Sequence, residues 1–100
     1  GGEIPETYGV PVEQICEGIK HGVRKVNIDT DLRLASTGII RQYLAKNPAA
    51  FDPRVYLKES IAAMKDIAVA RYKAFGTEGN ASKIKPLGLE GMAGYYSDGA

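Results

Sequence analysis

Nine residues, Lys25 to Arg33 (KVNIDTDLR), hold the densest run of groups in the chain able to handle a charged, oxygen-rich ligand. Read as a strand that passes directly into a helix, they put Lys25, Asn27 and Asp29 on one face, because side chains alternate along a strand. The first N–H groups of the following helix have no partner inside it and lie at the positive end of its dipole. Anions bind at such ends, phosphate most often. Thr30 would add a hydroxyl donor. Asn27 could donate to a substrate oxygen, and Asp29 could hold a substrate hydroxyl or orient Asn27. The same residues also fit a plain helix start, with Asp29 or Asp31 as the cap and Thr30 as strand filler.

Other reactive side chains are more isolated. Lys25 could form a Schiff base with a carbonyl substrate, or it could simply be solvated or ion-paired. His21 is the only histidine. A zinc site normally takes three or four ligands, and the expected helix end at His21 suits packing or exposure. Cys16 falls on an apolar stripe and reads as core. Arg54 stands in the first turn after Asp52, where it is either surface decoration or an anion clamp whose planar fork matches phosphate. Neither a P-loop nor a dinucleotide-type glycine loop occurs.

The elements that must position these groups follow from local signals. Residues 1–10 hold three Gly and one Pro and read as a loop. Pro11 suits a first helical turn. Val12, Ile15, Cys16 and Ile19 form an amphipathic stripe, and Gly22 sits where a terminating glycine belongs. Val23 to Thr30 is the strand candidate, with Val26 and Ile28 on the apolar face. Asp31 to Asn47 reads as a helix with Leu32, Ala35, Ile39, Ile40, Tyr43 and Leu44 on its apolar side, stopped by Pro48. Asp52-Pro53 is an N-cap followed by proline at N1. The helix it opens runs to about Phe75, with Leu57, Ile61, Met64, Ala68, Arg71 and Phe75 along one stripe and Gly76 closing it. At 1.5 Å per residue it is roughly 35 Å long, long enough to call for packing on something larger or on a second subunit. Residues 76–83 read as a loop. The tail from Ile84 has a weak helical pattern, and Gly88, Gly91 and Gly94 each cost about 1 kcal/mol against Ala in a helix, so order there depends on docking.

Composition bounds the function classes. One hundred residues suit one domain or part of one. Ile, Leu, Val and Phe make up 23 of them and the net charge is +1, which argues against wholesale disorder. Thirteen Lys and Arg against twelve Asp and Glu leave no basic stripe for nucleic acid. A single cysteine excludes a disulfide framework within the chain and fits a reducing, cytoplasmic setting. No stretch approaches the ~20 apolar residues of a membrane span. The start at Gly1-Gly2-Glu3, without Met, suggests a piece of something longer.

At this point three segments resemble a known family. GVPVEQICEGIKHGVRKVNIDTDLRLA (9–35) looks like the last strand and flanking helices of class II fructose-bisphosphate aldolases, with NIDTD the most specific part. FDPRVYL (51–57) and ARYKAFG (70–76) resemble that family's C-terminal arm, and ASKIKPLGLEGM (81–92) resembles the tail of its long-chain, Calvin-cycle-like subtype. The resemblance implies an α/β fold, a zinc-dependent (β/α)8 barrel. Such barrels need roughly 250 residues, so the chain would supply only a mostly helical C-terminal piece: the last βα portion over 1–47, and an arm and tail over 48–100.

The resemblance also implies roles. Asn27, Ile28, Asp29 and Thr30 would bind dihydroxyacetone phosphate. Asn27 would steady the enediolate oxygens, Asp29 would bond substrate hydroxyls, and the Ile28–Thr30 backbone with the Thr30 hydroxyl would grip the phosphate. Arg54 would reach into a neighbouring subunit and meet the other phosphate, in a homodimer or higher homo-oligomer. The reaction would be reversible cleavage of fructose 1,6-bisphosphate to dihydroxyacetone phosphate and glyceraldehyde 3-phosphate, in glycolysis, gluconeogenesis or the Calvin cycle. Zinc would act as Lewis acid, with its ligands outside these 100 residues, and a monovalent cation would support phosphate binding. No metal ligand is expected within the chain, which alone should be inert. Tagatose bisphosphate is not distinguished from fructose bisphosphate by these residues. Two other readings stand beside this one: a non-enzymatic helical interaction module in which NIDTD is only a cap, and a Schiff-base aldolase using Lys25.

Overall fold

The computed structural model describes residues 3–5 and 8–99. The loop expected over 1–10 therefore lies partly outside the described residues. Four α-helices follow: α1 (Val12–Lys20), α2 (Thr30–Lys46), α3 (Pro53–Ala74) and α4 (Leu89–Gly99), with a 3-10 turn at Ala81–Lys83.

Helix ends are set by local chemistry. Asp52 caps α3, its carboxylate accepting from the Arg54 amide at 3.0 Å, and Pro53 takes the first helical position. Two helices end in the same way. After α1, the Val23 amide donates to Gly18 O (3.0 Å) and the Gly22 amide to Ile19 O (3.3 Å). After α3, the Thr77 amide donates to Tyr72 O (2.9 Å) and the Gly76 amide to Lys73 O (3.2 Å). This double bond pattern needs a left-handed residue. Gly22 (φ 108°) and Gly76 (φ 71°) supply it. Pro11 lies one position earlier than its composition suggested, at the N-cap of α1 rather than inside its first turn.

The strand expected over Val23–Thr30 does not form. Residues 23–29 carry no regular structure, Thr30 opens α2, and no strand exists among the described residues. A strand is defined by hydrogen bonds to a neighbour, and no described segment pairs with this one. The alternation survives without the pairing. Val26 and Ile28 are half-buried, whereas Lys25, Asn27 and Asp29 are exposed.

Packing is dominated by α2 against α3, with α1 touching α3 near its end. The two helices meet at Ser36 and Ser60, whose hydroxyls lie 2.6 Å apart. Ser60 is the only fully buried residue among those described, at 2% exposure. This corrects the expected α3 stripe. Met64, Ala68, Arg71 and Phe75 face inward, but Leu57 and Ile61 point to solvent, while Tyr56 and Ser60 take the inner side. Leu44 of α2 is likewise exposed at its margin. Small hydroxyl residues let two backbones come close, so the crossing rather than the hydropathy pattern sets the rotation of α3 there. At Cys16 the side chain is half-buried and its Sγ lies 3.4 Å from Ala74 O, short of full core burial.

The tail forms α4 despite Gly91 and Gly94, and it stands clear of the other helices, with Leu89 92% exposed. The radius of gyration is 18.8 Å, against about 13 Å for a compact 100-residue domain. No apolar side chain among the described residues is fully buried. The fold is a two-helix core with an attached α1, an extended segment and a projecting tail.

Candidate functional site

The segment 27–31 sits where the extended stretch turns into α2, against the last third of α3. Asn27, Ile28, Asp29 and Thr30 line one cavity of about 360 Å³ together with Asp31 and Arg71. Four of the five expected site residues are thus brought together. Arg54 is not: it lies at the opposite end of α3, is 91% exposed, and forks onto its own cap, with Nη2 2.8 Å from Asp52 Oδ2 and Nε 3.1 Å from Oδ1. That fork holds the Asp52 carboxyl below its ordinary value and raises the Arg54 guanidinium further.

Asn27 has a defined orientation. Lys25 Nζ donates to Asn27 Oδ1 at 2.8 Å. An ammonium can only donate, so the amide oxygen must face it and the NH2 group, with two hydrogens, faces the other way. The i, i+2 pair forms because the extended backbone puts both side chains on one face.

Asp29 is the N-cap residue of α2, yet its side chain caps nothing. It accepts instead from Arg33 Nε at 2.8 Å, an exposed i, i+4 pair. The plain-cap reading of Asp29 and Asp31 is therefore not what the geometry supports. The first-turn amides of α2 receive no carboxylate from Asp29, and a helix start in that state attracts an anion.

Asp31 does different work. Its Oδ1 accepts from the Gly9 amide at 2.8 Å, and its Oδ2 from Arg71 Nη2 at 2.9 Å. Both side chains are mostly buried, at 16% and 19% exposure. The Gly9 amide first, then the Arg71 guanidinium, hold the Asp31 carboxyl below its ordinary value of 3.8, against the opposing effect of burial. The α3 stripe puts Arg71 among Met64, Ala68 and Phe75, and a charge on an apolar face calls for an acid, the one signal in the sequence for this pair.

A larger cavity, about 550 Å³, opens on the other side of Arg71. Val26, Ile28, Leu32 and Phe75 make it apolar, and it receives the side of the 23–28 segment opposite to Lys25 and Asn27. His21 is far from either role, as an exposed partner of Glu17 at 3.1 Å. Among the described residues no group of three or more His, Cys, Asp or Glu could hold a metal ion. None of the helices is long and apolar enough to cross a membrane.

The family model "Fructose-bisphosphate aldolase class-II" matches residues 7–80. A fructose-bisphosphate aldolase of Stutzerimonas stutzeri is 73% identical over 99 residues, which is 99% of this chain and 28% of that protein. One from Pseudomonas aeruginosa is 71% identical over the same shares. "Fructose-bisphosphate aldolase 2" of Rhodobacter capsulatus is 54% identical over 100 residues, all of this chain and 88% of that sequence. The chain thus spans little more than a quarter of the length of its first two relatives. The matched region includes the Asn27–Thr30 turn, the Asp31–Arg71 pair and Arg54, and on that match the chain belongs to the class II fructose-bisphosphate aldolase family.

Proposed function

We propose that this chain supplies the substrate-phosphate segment of a class II fructose-1,6-bisphosphate aldolase, as the last βα portion of its barrel (1–47) and its C-terminal arm (48–100). The observation that carries the reading is the gathering of Asn27, Ile28, Asp29 and Thr30 around one cavity at an uncapped helix start. The complete polypeptide would cleave fructose 1,6-bisphosphate reversibly to dihydroxyacetone phosphate and glyceraldehyde 3-phosphate, in the cytoplasm, within glycolysis, gluconeogenesis or the Calvin cycle.

Each residue has a job in that reading. The backbone amides from Ile28 to Thr30 and the Thr30 hydroxyl bind the phosphate of the dihydroxyacetone half. The Asn27 NH2 group, turned outward by Lys25, donates to the oxygen on which negative charge develops. Asp29 keeps one carboxylate oxygen beside its bond to Arg33 and accepts from a substrate hydroxyl. Lys25 donates to Asn27 Oδ1, which gives it a positioning task. The zinc ion implied for the family does not fit this chain's described residues; we assign its ligands, and any monovalent-cation site, to the rest of the barrel, and the chain alone would be inert.

Arg54 is the arm's contribution to a neighbouring subunit of a homo-oligomer, where it meets the second phosphate after leaving Asp52. Replacing it tests this. Arg54→Ala in the complete polypeptide should raise KM for fructose 1,6-bisphosphate about tenfold or more, the weight of a charge-assisted bond, and leave KM for fructose 1-phosphate unchanged. Equal effects on both substrates would remove Arg54 from the second phosphate. Absence of fructose 1,6-bisphosphate cleavage by the unsubstituted polypeptide would overturn the functional reading as a whole.

A further inference from the structure

The Asp31–Arg71 pair is poorly explained by stability. Replacing a buried ion pair with packed apolar residues is often neutral or favourable, and this pair also leaves the Arg71 Nε–H buried without an acceptor. Its geometry points elsewhere. α3 has a side-chain cap, Asp52 on the Arg54 amide, whereas among the described residues α2 has none. An uncapped first turn frays unless something else fixes it. Here the second residue of α2 is fixed through its side chain. Asp31 reaches the backbone of residue 9 with one oxygen and α3 with the other. Each of its oxygens already accepts one hydrogen bond, so the carboxylate is held between two protein partners.

We propose that Asp31 and Arg71, with the Gly9 amide, are positioning residues that hold the first turn of α2 so that the Ile28–Thr30 amides and the Thr30 hydroxyl stay aimed at a phosphate. The proposal rests on reading that segment as phosphate-binding. It gives the uncapped turn a purpose: the amides stay open for the ligand while the rigidity a cap would give comes from behind. It also gives α3 a second task, since the helix that carries Arg54 at its start carries Arg71 near its end. Gly9 belongs to the device because a Cβ there would lie 3.3 Å from Asp31 Oδ2 and crowd the carboxylate.

The test uses the complete polypeptide, with steady-state cleavage of fructose 1,6-bisphosphate and thermal unfolding measured on the same samples. Asp31→Asn and Arg71→Met should raise KM about tenfold each, with kcat changed less. Because the two act as one unit, the double variant should raise KM no further than the worse single one. Arg71→Lys should recover part of the loss. Gly9→Ala, which removes no charge, should raise KM in the same direction, and it keeps the test readable if Arg71→Met fails to fold. A lowered Tm with KM within twofold of the unsubstituted enzyme in all these variants would overturn the proposal and leave the pair a structural strut. Thr30→Val separates the two levels: if it raises KM while the Asp31, Arg71 and Gly9 variants do not, the positioning idea alone fails. If neither set moves KM, the phosphate reading of the segment fails with it.

Discussion

Asn27→Ala in the complete polypeptide is expected to lower kcat by ~10²–10³, the usual loss for one donor aimed at developing negative charge. KM should change much less, because the donor matters most when charge has formed. The physical basis is orientation. An asparagine amide can present either its oxygen or its NH2 group, and a free side chain samples both. Here Lys25 Nζ, 2.8 Å from Oδ1, favours the one that turns the NH2 group away from the lysine. Lys25→Met should therefore reduce kcat in the same direction but by less, since Asn27 remains and only its preference is lost. Lys25→Arg should retain most of the activity by keeping a donor. Borohydride reduction in the presence of substrate should leave no adduct at Lys25. An adduct there would transfer the chemistry to a Schiff base, and unchanged kcat in Asn27→Ala would remove Asn27 from it.

Arg71→Met should be the most destabilising single change in the segment, at about 3–5 kcal/mol, because it leaves the Asp31 carboxylate mostly buried and held only by the Gly9 amide. Urea unfolding of the complete polypeptide measures it. The pH dependence has a definite sign. Asp31 has a carboxyl pKa that folding depresses below 3.8. Its contribution is therefore fully present above that value and is lost as pH falls through the lower, folded pKa. The gap between Arg71→Met and the unsubstituted protein should be largest near neutral pH and shrink in acid, where the unpaired Asp31 carboxyl of the variant takes up its proton first. A gap that widened as pH fell would mean that another group governs the contact.

What could be read from sequence was what local chemistry decides. Asp52-Pro53 and Gly76 bracket α3 because a cap, a preset φ and a left-handed stop each act within a few residues. Gly22 ends α1 for the same reason, and α2 begins one residue earlier than its pattern suggested, at Thr30. Val12, Ile15, Cys16 and Ile19 all turn partly inward, as their spacing required. The failures are non-local. A strand at 23–30 needed a partner that no residue near it in sequence can provide. Leu57 and Ile61 look like core by hydropathy, yet the helix crossing is set by Ser36 and Ser60, whose small size counts for more than their polarity. Asn27, Ile28, Asp29 and Thr30 were found as a group because they are contiguous. The contacts behind them are not legible, because Gly9, Asp31 and Arg71 meet only in three dimensions, 22 and 40 positions apart.

The most direct measurement is amide hydrogen exchange along the complete polypeptide, with and without dihydroxyacetone phosphate. Ile28, Asp29 and Thr30 should show clear slowing when the sugar phosphate is added, stronger than at Asp52–Val55, where a carboxylate already caps the helix. Exchange at 28–30 that is indifferent to the ligand, with protection appearing elsewhere in the chain, would contradict the account.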